Sequence, residues 1–247
     1  MGLETTMLIA FLAILPILSF LYASVGHGGA SGYLALMALF SIPNTTMKQT
    51  ALLLNLFVAG IAFYQYQKAG YFKKSIFIPF AIGSIPAAFI GGMIEVDPLI
   101  YKKILGVLLV FAVARMLWKR NHNKEAIKKN NFLPALVLGA VIGFFSGLIG
   151  IGGGIILTPI ILLLHWGTMK EAAAVSALFI WVNSAAGLLG QFSSGIQLYP
   201  IAGVMVVIAV IGGLAGSYLG SKKWTHRILE YCLATVLITA SIKLLMF

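Results

Sequence analysis

Charge is what this chain has least of: only 9% of its 247 residues are charged, and six of those are acidic. A soluble globular domain usually carries about 25% charged residues. With 60% hydrophobic residues and a mean hydropathy of +1.01, the chain is read as a polytopic membrane protein. A single cysteine, Cys232, excludes an internal disulfide, a cysteine-pair zinc site and a two-thiol relay. The four histidines, His27, His122, His165 and His226, are scattered, and no HExxH, GxSxG or Walker-type string is present. No metal site, cofactor or catalytic cluster is therefore expected. No carboxylate falls near the middle of a long apolar run, where a cation pump or proton relay would place one. An anionic or neutral cargo is favoured over a metal cation.

The net charge of +11 would suggest nucleic acid in a soluble protein. Here the basic residues lie mostly between apolar runs, so the expected partner is the lipid bilayer and not nucleic acid. The chain is long enough only for membrane segments, with no room for a soluble catalytic domain. The first apolar run is read as a retained helix, because no convincing cleavage site follows it.

Glycine, by contrast, is abundant and clustered. The stretch Gly150 to Pro159, GIGGGIILTP, has a weaker echo at Gly26 to Ala35, GHGGASGYLA. Each cluster interrupts an apolar run that would otherwise continue as a helix, and glycine costs a helix interior about 1 kcal/mol relative to alanine. At membrane depth such a break is tolerable only when buried in protein or lining a cavity. It leaves backbone N–H groups at the start of the next helix, where they and the helix dipole can hold an anion. The competing reading is close helix crossing through small residues. The occurrence of the break twice, at matching places in two halves, favours a binding site.

The rest of the chain repeats in the same order. Residues 7–25, interrupted by Pro16, precede the first break. A short piece over 33–42 follows, then a helix from Thr46 to about Gln67 with Thr46 and Gln49 placed as a capping box. Helices are expected over 75–93 and 101–118. The polar segment KRNHNKEAIKKNN links the halves, giving repeats at 1–118 and 133–247 and a basic linker at 119–132. In the second half, 133–149 runs into the GIGGG break and a short piece at 155–166 follows. TMKEAA at Thr168 then matches TMKQTA at Thr46, and IGGLAGSYLGS at Ile211 matches IGSIPAAFIGG at Ile82.

Five membrane segments per half make the second half inverted. Thirteen of the seventeen basic residues then share one face with the linker, and only Lys48, Lys102, Lys103 and Lys243 lie on the other. The positive-inside rule places the linker in the cytoplasm and both termini outside. The fold expected is thus an all-α polytopic membrane protein of two inverted five-segment repeats with broken helices, an architecture of secondary transporters.

The candidate substrate-binding residues are His27, Gly28, Gly29 and Ser31 at the first break and Gly152, Gly153, Gly154 and Thr158 at the second. Asn55, Ser176, Asn183 and Gln191 join them as polar groups inside long runs, which must face protein or a cavity. His27 suits an anion as imidazolium; as a neutral ring it would bond the carbonyls that the break frees. Lys48 and Lys170, related by the repeat, are candidate entrance residues, or else interfacial anchors at helix starts.

The break, the short piece with Pro159, the TMK helix start and the glycine-rich later helix resemble the sulfite exporter TauE/SafE family of permeases. The resemblance covers essentially the whole chain and is strongest over Gly143 to Gln191. It departs in the first half, where His27, Ala30 and Ala35 stand opposite Ile151, Gly154 and Pro159. The resemblance implies transport of sulfite, thiosulfate or an organosulfonate across the cytoplasmic membrane. The residues by themselves reach only a small anion or polar molecule. An anion channel and a non-transporting partner subunit stay open, as does the oligomeric state, a homodimer included. Export is the expected direction, because an inside-negative potential drives anions outward.

Overall fold

The computed structural model describes residues 5–117, 127–195 and 201–222 and, nearer the C-terminus, 238, 241, 242, 245 and 246. Most of the linker and most of the fifth segment of the second half lie outside the described residues. Nine helices are found among them: α1 (Thr5–Ser24), α2 (Ala30–Leu39), α3 (Asn44–Lys68), α4 (Lys74–Met93), α5 (Pro98–Leu117), α6 (Phe132–Ile149), α7 (Gly154–Leu163), α8 (Met169–Ser193) and α9 (Ile201–Lys222). Six of these, α1, α3, α4, α6, α8 and α9, are long and apolar enough to cross a membrane, and α2 and α7 are shorter apolar helices. The protein is a multi-pass, all-helical membrane protein.

Both interruptions fall where glycine takes a backbone that other residues resist. Gly26 and Gly29 at the first break, and Gly150, Gly152 and Gly153 at the second, all have φ between 76° and 99°, the left-handed region that costs an L-residue about 1–2 kcal/mol. The short helices α2 and α7 end alike, with the non-glycine residues Ser41 and His165 at φ 55° and 57°. Ser41 and His165 occupy corresponding places after the two breaks.

The capping box expected at Thr46 and Gln49 does not form. Helix α3 begins two residues earlier, at Asn44 behind Pro43, with no side-chain cap. The first N–H groups of the helix turn instead to Pro43: its carbonyl accepts from the N–H groups of Thr46 and Met47 at 3.0 and 3.1 Å. Gln49 is therefore one turn inside the helix. In the second half the box is made, by Thr168 and Glu171 at the start of α8.

Helix directions follow from paired contacts. Gly212, Gly216 and Gly220 of α9 abut the carbonyls of Pro16, Phe20 and Ser24 of α1, so α1 and α9 run parallel. Gly139, Gly143 and Gly147 of α6 abut the carbonyls of Phe80, Ser84 and Ala88 of α4, again parallel. Small residues at four-residue spacing let these backbones touch, as is common where membrane helices cross. At the centre, α3 and α8 run antiparallel: Leu52 meets Gly187, Gly60 meets Trp181, and Tyr66 clusters with Ala173 and Ala174. Helix α2 folds back along α1, with the Ser31 hydroxyl 2.9 Å from that of Tyr22, the Tyr33 hydroxyl 3.0 Å from that of Ser19, and Phe40 edge-on to Phe11. The main helix pairs thus cross between halves, and the interior they enclose contains both breaks.

Candidate functional site

Each break exposes carbonyls at the end of one helix and N–H groups at the start of the next. The carbonyl ends are closed by tyrosines: Tyr66 donates to Ser24 O at 3.1 Å, and Tyr101 donates to Ile149 O at 2.9 Å. Each break also seats against the start of the other half's long helix, Gly26 on Ala173 and Gly150 on Lys48.

The two breaks meet at one side chain. A Cβ placed on Gly28 would stand 2.5 Å from Asn55 Oδ1 and 2.9 Å from Ile180 Cγ2. A Cβ on Gly152 would strike Asn55 Nδ2 and lie 2.9 Å from the same Ile180 methyl. Asn55, fully buried on α3, accepts a hydrogen bond from Ala30 N–H at 3.0 Å, so its oxygen caps the start of α2. Its Nδ2, beside Gly152, has no partner among the described residues.

The helix starts therefore differ. At α7 the N–H groups of Gly152, Gly153, Gly154 and Ile155 donate to no protein acceptor among the described residues, and the first bonds of that helix are made by Ile156 and Leu157 to Gly153 O. A free amide donor and a helix start with undonated N–H groups are both chemically suited to an anionic oxygen. Next to them, His27 Nε2 lies 3.2 Å from Thr158 Oγ1, and Thr158 donates to Ser176 Oγ at 2.8 Å. That chain ties the first break to α7 and α8 across the halves.

The structure brings His27, Gly28, Asn55, Gly152, Thr158 and Ser176 together, with Gly154 against Ile180. Gly29 supplies the positive-φ turn and packs on the Tyr33 ring, while Gly153 packs on Ile142 and Phe179. Ser31 turns away to Tyr22. Asn183 lies further along α8 and donates to Phe179 O at 2.7 Å; Gln191, near the end of α8, is buried with both amide atoms unpartnered among the described residues.

Lys48 and Lys170 stand at opposite ends of the α3–α8 pair. Lys48 Nζ donates to Gly92 O at 3.1 Å and Ile94 O at 3.2 Å, with Gly91 O at 3.5 Å, at the end of α4. Lys170 Nζ donates to the Tyr71 hydroxyl at 3.2 Å and reaches Ser221 O at 3.5 Å, at the end of α9. Gly92 and Ser221 are aligned by the repeat, so both lysines close the same carbonyl in their respective halves. Basic groups at a helix C-terminus are stabilising.

Sequence reasoning passed over Tyr22, Tyr33, Tyr66, Tyr101 and Ile180. A tyrosine inside an apolar run needs a partner for its hydroxyl, and that requirement was the available signal. Nothing in the sequence distinguished Ile180 from its apolar neighbours.

A multi-pass helical bundle whose two interrupted helices face each other across a buried amide is a membrane transporter in class. A family model described as "Sulfite exporter TauE/SafE" matches residues 10–244, and the chain belongs to that family. It is 36% identical over 233 residues to the probable membrane transporter protein y4hK of Sinorhizobium fredii, covering 93% of this chain and 94% of that one. It is 28% identical over 242 residues to the probable membrane transporter protein YjnA of Bacillus subtilis, covering 89% and 92%. No solved structure matches the chain.

Proposed function

We propose that this protein is a secondary transporter that moves a small sulfur-containing anion, such as sulfite, thiosulfate or an organosulfonate, across the cytoplasmic membrane by alternating access. The observation that carries the reading is the meeting of the two breaks at Asn55, with its Nδ2 unpartnered beside the open start of α7. An anion seated there takes hydrogen bonds from Asn55 and from the N–H groups of residues 152–155, with His27, Thr158 and Ser176 at its flank. The positive end of α7 favours the charge without a cationic ligand, as in other transporters with discontinuous helices. The sulfur-anion class is supported by the family's description.

In this reading residues 1–118 and 133–247 are inverted repeats joined by a cytoplasmic linker, with both termini outside. The parallel pairs α1/α9 and α4/α6 and the antiparallel pair α3/α8 support that arrangement. Lys48 and Lys170 act as matched latches at the two entrances, each holding the end of a helix that moves when its side opens.

The test is thermal stability of the purified protein with sulfite, thiosulfate, sulfate, sulfoacetate, taurine and chloride at fixed ionic strength, followed by counterflow in proteoliposomes. A ligand of the native state raises apparent stability by about 2.7 kcal/mol at a hundred times its Kd. A saturable shift with one sulfur anion, and counterflow of that anion, is expected. No shift with any of them would overturn the site, and unsaturable conductance would make the protein a channel.

A further inference from the structure

Beyond the central site, one side of α8 carries polar groups over most of its length. Ser176, Asn183, Ser184 and Gln191 recur at helical spacing, within about 100° of arc and over about 22 Å of rise, with Ile180 and Gly187 between them. That side faces inward, since Gly187 lies against Leu52 of α3 and Gly147 of α6. All four are 0–1% exposed. Asn183 Oδ1, Ser184 Oγ and both amide atoms of Gln191 have no partner among the described residues. Buried polar atoms are ordinarily satisfied, so a run of unsatisfied ones marks a place that something polar visits.

The opposite helix ends the run in kind. The antiparallel register fixed by Leu52 and Gly187 sets Gln49 of α3 level with Gln191. Gln49, released from the capping box its repeat partner Glu171 makes, is 3% exposed and its Oε1 is also unpartnered. Lys48 stands next to it, holding the end of α4. The pattern is not a relic of duplication. The first-half positions that align with Ser176, Asn183, Ser184 and Gln191 are Leu54, Ile61 and Ala62 of α3 and Ala69 just past its end. At the far end of the same helix pair, Tyr66, Ala173 and Ala174 pack with Tyr71 and Phe72.

We propose that this face of α8 lines the route between the central site and the membrane face where α3 begins, and that Gln49 and Gln191 form a second anion station on it, with Lys48 beside them. Gln191 Nε2 and the Ser184 hydroxyl donate to the anion's oxygens one at a time, and Gln49 joins them when its amide turns to present Nε2 in place of Oε1. The inference rests on the proposed transport only for the nature of the cargo; the route itself is read from burial and register.

The experiment uses the full chain with Cys232→Ser, reconstituted in proteoliposomes, and single cysteines at Asn183, Ser184 and Gln191. Leu189→Cys, on the exposed side of α8, and Leu54→Cys, at the apolar equivalent of Ser176, serve as controls. The probes are the anionic 2-sulfonatoethyl methanethiosulfonate and its trimethylammonium counterpart. Labelling by the anionic reagent at Ser184→Cys and Gln191→Cys is expected to be at least tenfold faster than at either control, and faster than labelling by the cation. Rates no higher than at Leu54→Cys, or a preference for the cation, would overturn the proposal. Should Gln191→Cys not yield folded protein, Gln49→Cys reads the same station. Fast anionic labelling that sulfoacetate does not slow would leave the route standing and count against a sulfonate cargo.

Discussion

Replacing Gly152 by alanine separates two costs that the second break imposes. The first is backbone: Gly152 has φ +80°, a left-handed conformation worth about 1–2 kcal/mol against alanine. The second is space, because the new methyl would strike Asn55 Nδ2 and press on Ile180 at 2.9 Å; overpacking a tight site costs about 1–3 kcal/mol. Gly70 and Gly195 are built-in controls, with φ +82° and +80° and nothing within 4 Å of a Cβ. Gly70→Ala and Gly195→Ala should therefore lose about 1–2 kcal/mol, and Gly152→Ala about 2–5 kcal/mol. Reversible unfolding by SDS in mixed micelles, followed by tryptophan fluorescence, measures all three. In an Asn55→Ala background much of the excess should vanish, giving a coupling energy within the range of about 0.5–3 kcal/mol found for touching residues. If Gly152→Ala costs no more than Gly70→Ala, the two breaks do not meet at Asn55 and the site as described is wrong.

Asn55→Asp keeps an acceptor for Ala30 N–H but replaces the donor beside Gly152 with a carboxylate oxygen. Anion affinity, read by the thermal shift, should fall at least 10- to 100-fold, the equivalent of losing a hydrogen bond of about 1.5–3 kcal/mol to a charged group. Gly143→Leu drives a side chain into the carbonyl of Ser84 and should cost about 3 kcal/mol or more in the same unfolding assay, whereas Gly203→Ala, in α9 with nothing within 4 Å, should gain up to about 1 kcal/mol. Thr168→Ala removes the cap of α8 and should cost about 1 kcal/mol, seen in unfolding with anion binding unchanged.

The membrane helices and both breaks were legible because apolar run length and glycine clustering are local properties of the chain. The pairing of Lys48 with Lys170 was legible too, since TMKQ and TMKE sit at matching places. What each lysine holds was not, because the ends of α4 and α9 come from distant sequence. The Thr46 box misled for a physical reason: Pro43 ends the preceding turn and lets α3 begin at Asn44, so a string that caps one helix is carried inside the other. Asn55 was legible only as a buried polar residue. Its role depends on Gly28 and Gly152 arriving from opposite halves, and Ala177, its counterpart in the repeat, gave no hint of an unequal pair. That Ser31 pairs with Tyr22 was not legible, because a place in the break says nothing of which way α2 turns.

The crossing of α1 with α9 also sets a timetable for synthesis. Ser19 of α1 donates to Ala209 O of α9, 190 residues later in the chain, and at about 5–20 residues per second the ribosome needs roughly 10–40 seconds to deliver that partner. Through that interval the side of α1 formed by Pro16, Phe20 and Ser24 lacks the α9 glycines that later cover it, as the facing side of α4 lacks α6 until that helix arrives. The nascent chain is thus committed to the membrane before either of its tightest crossings can close, which makes the late helices the point at which quality control can tell a finished molecule from an abandoned one.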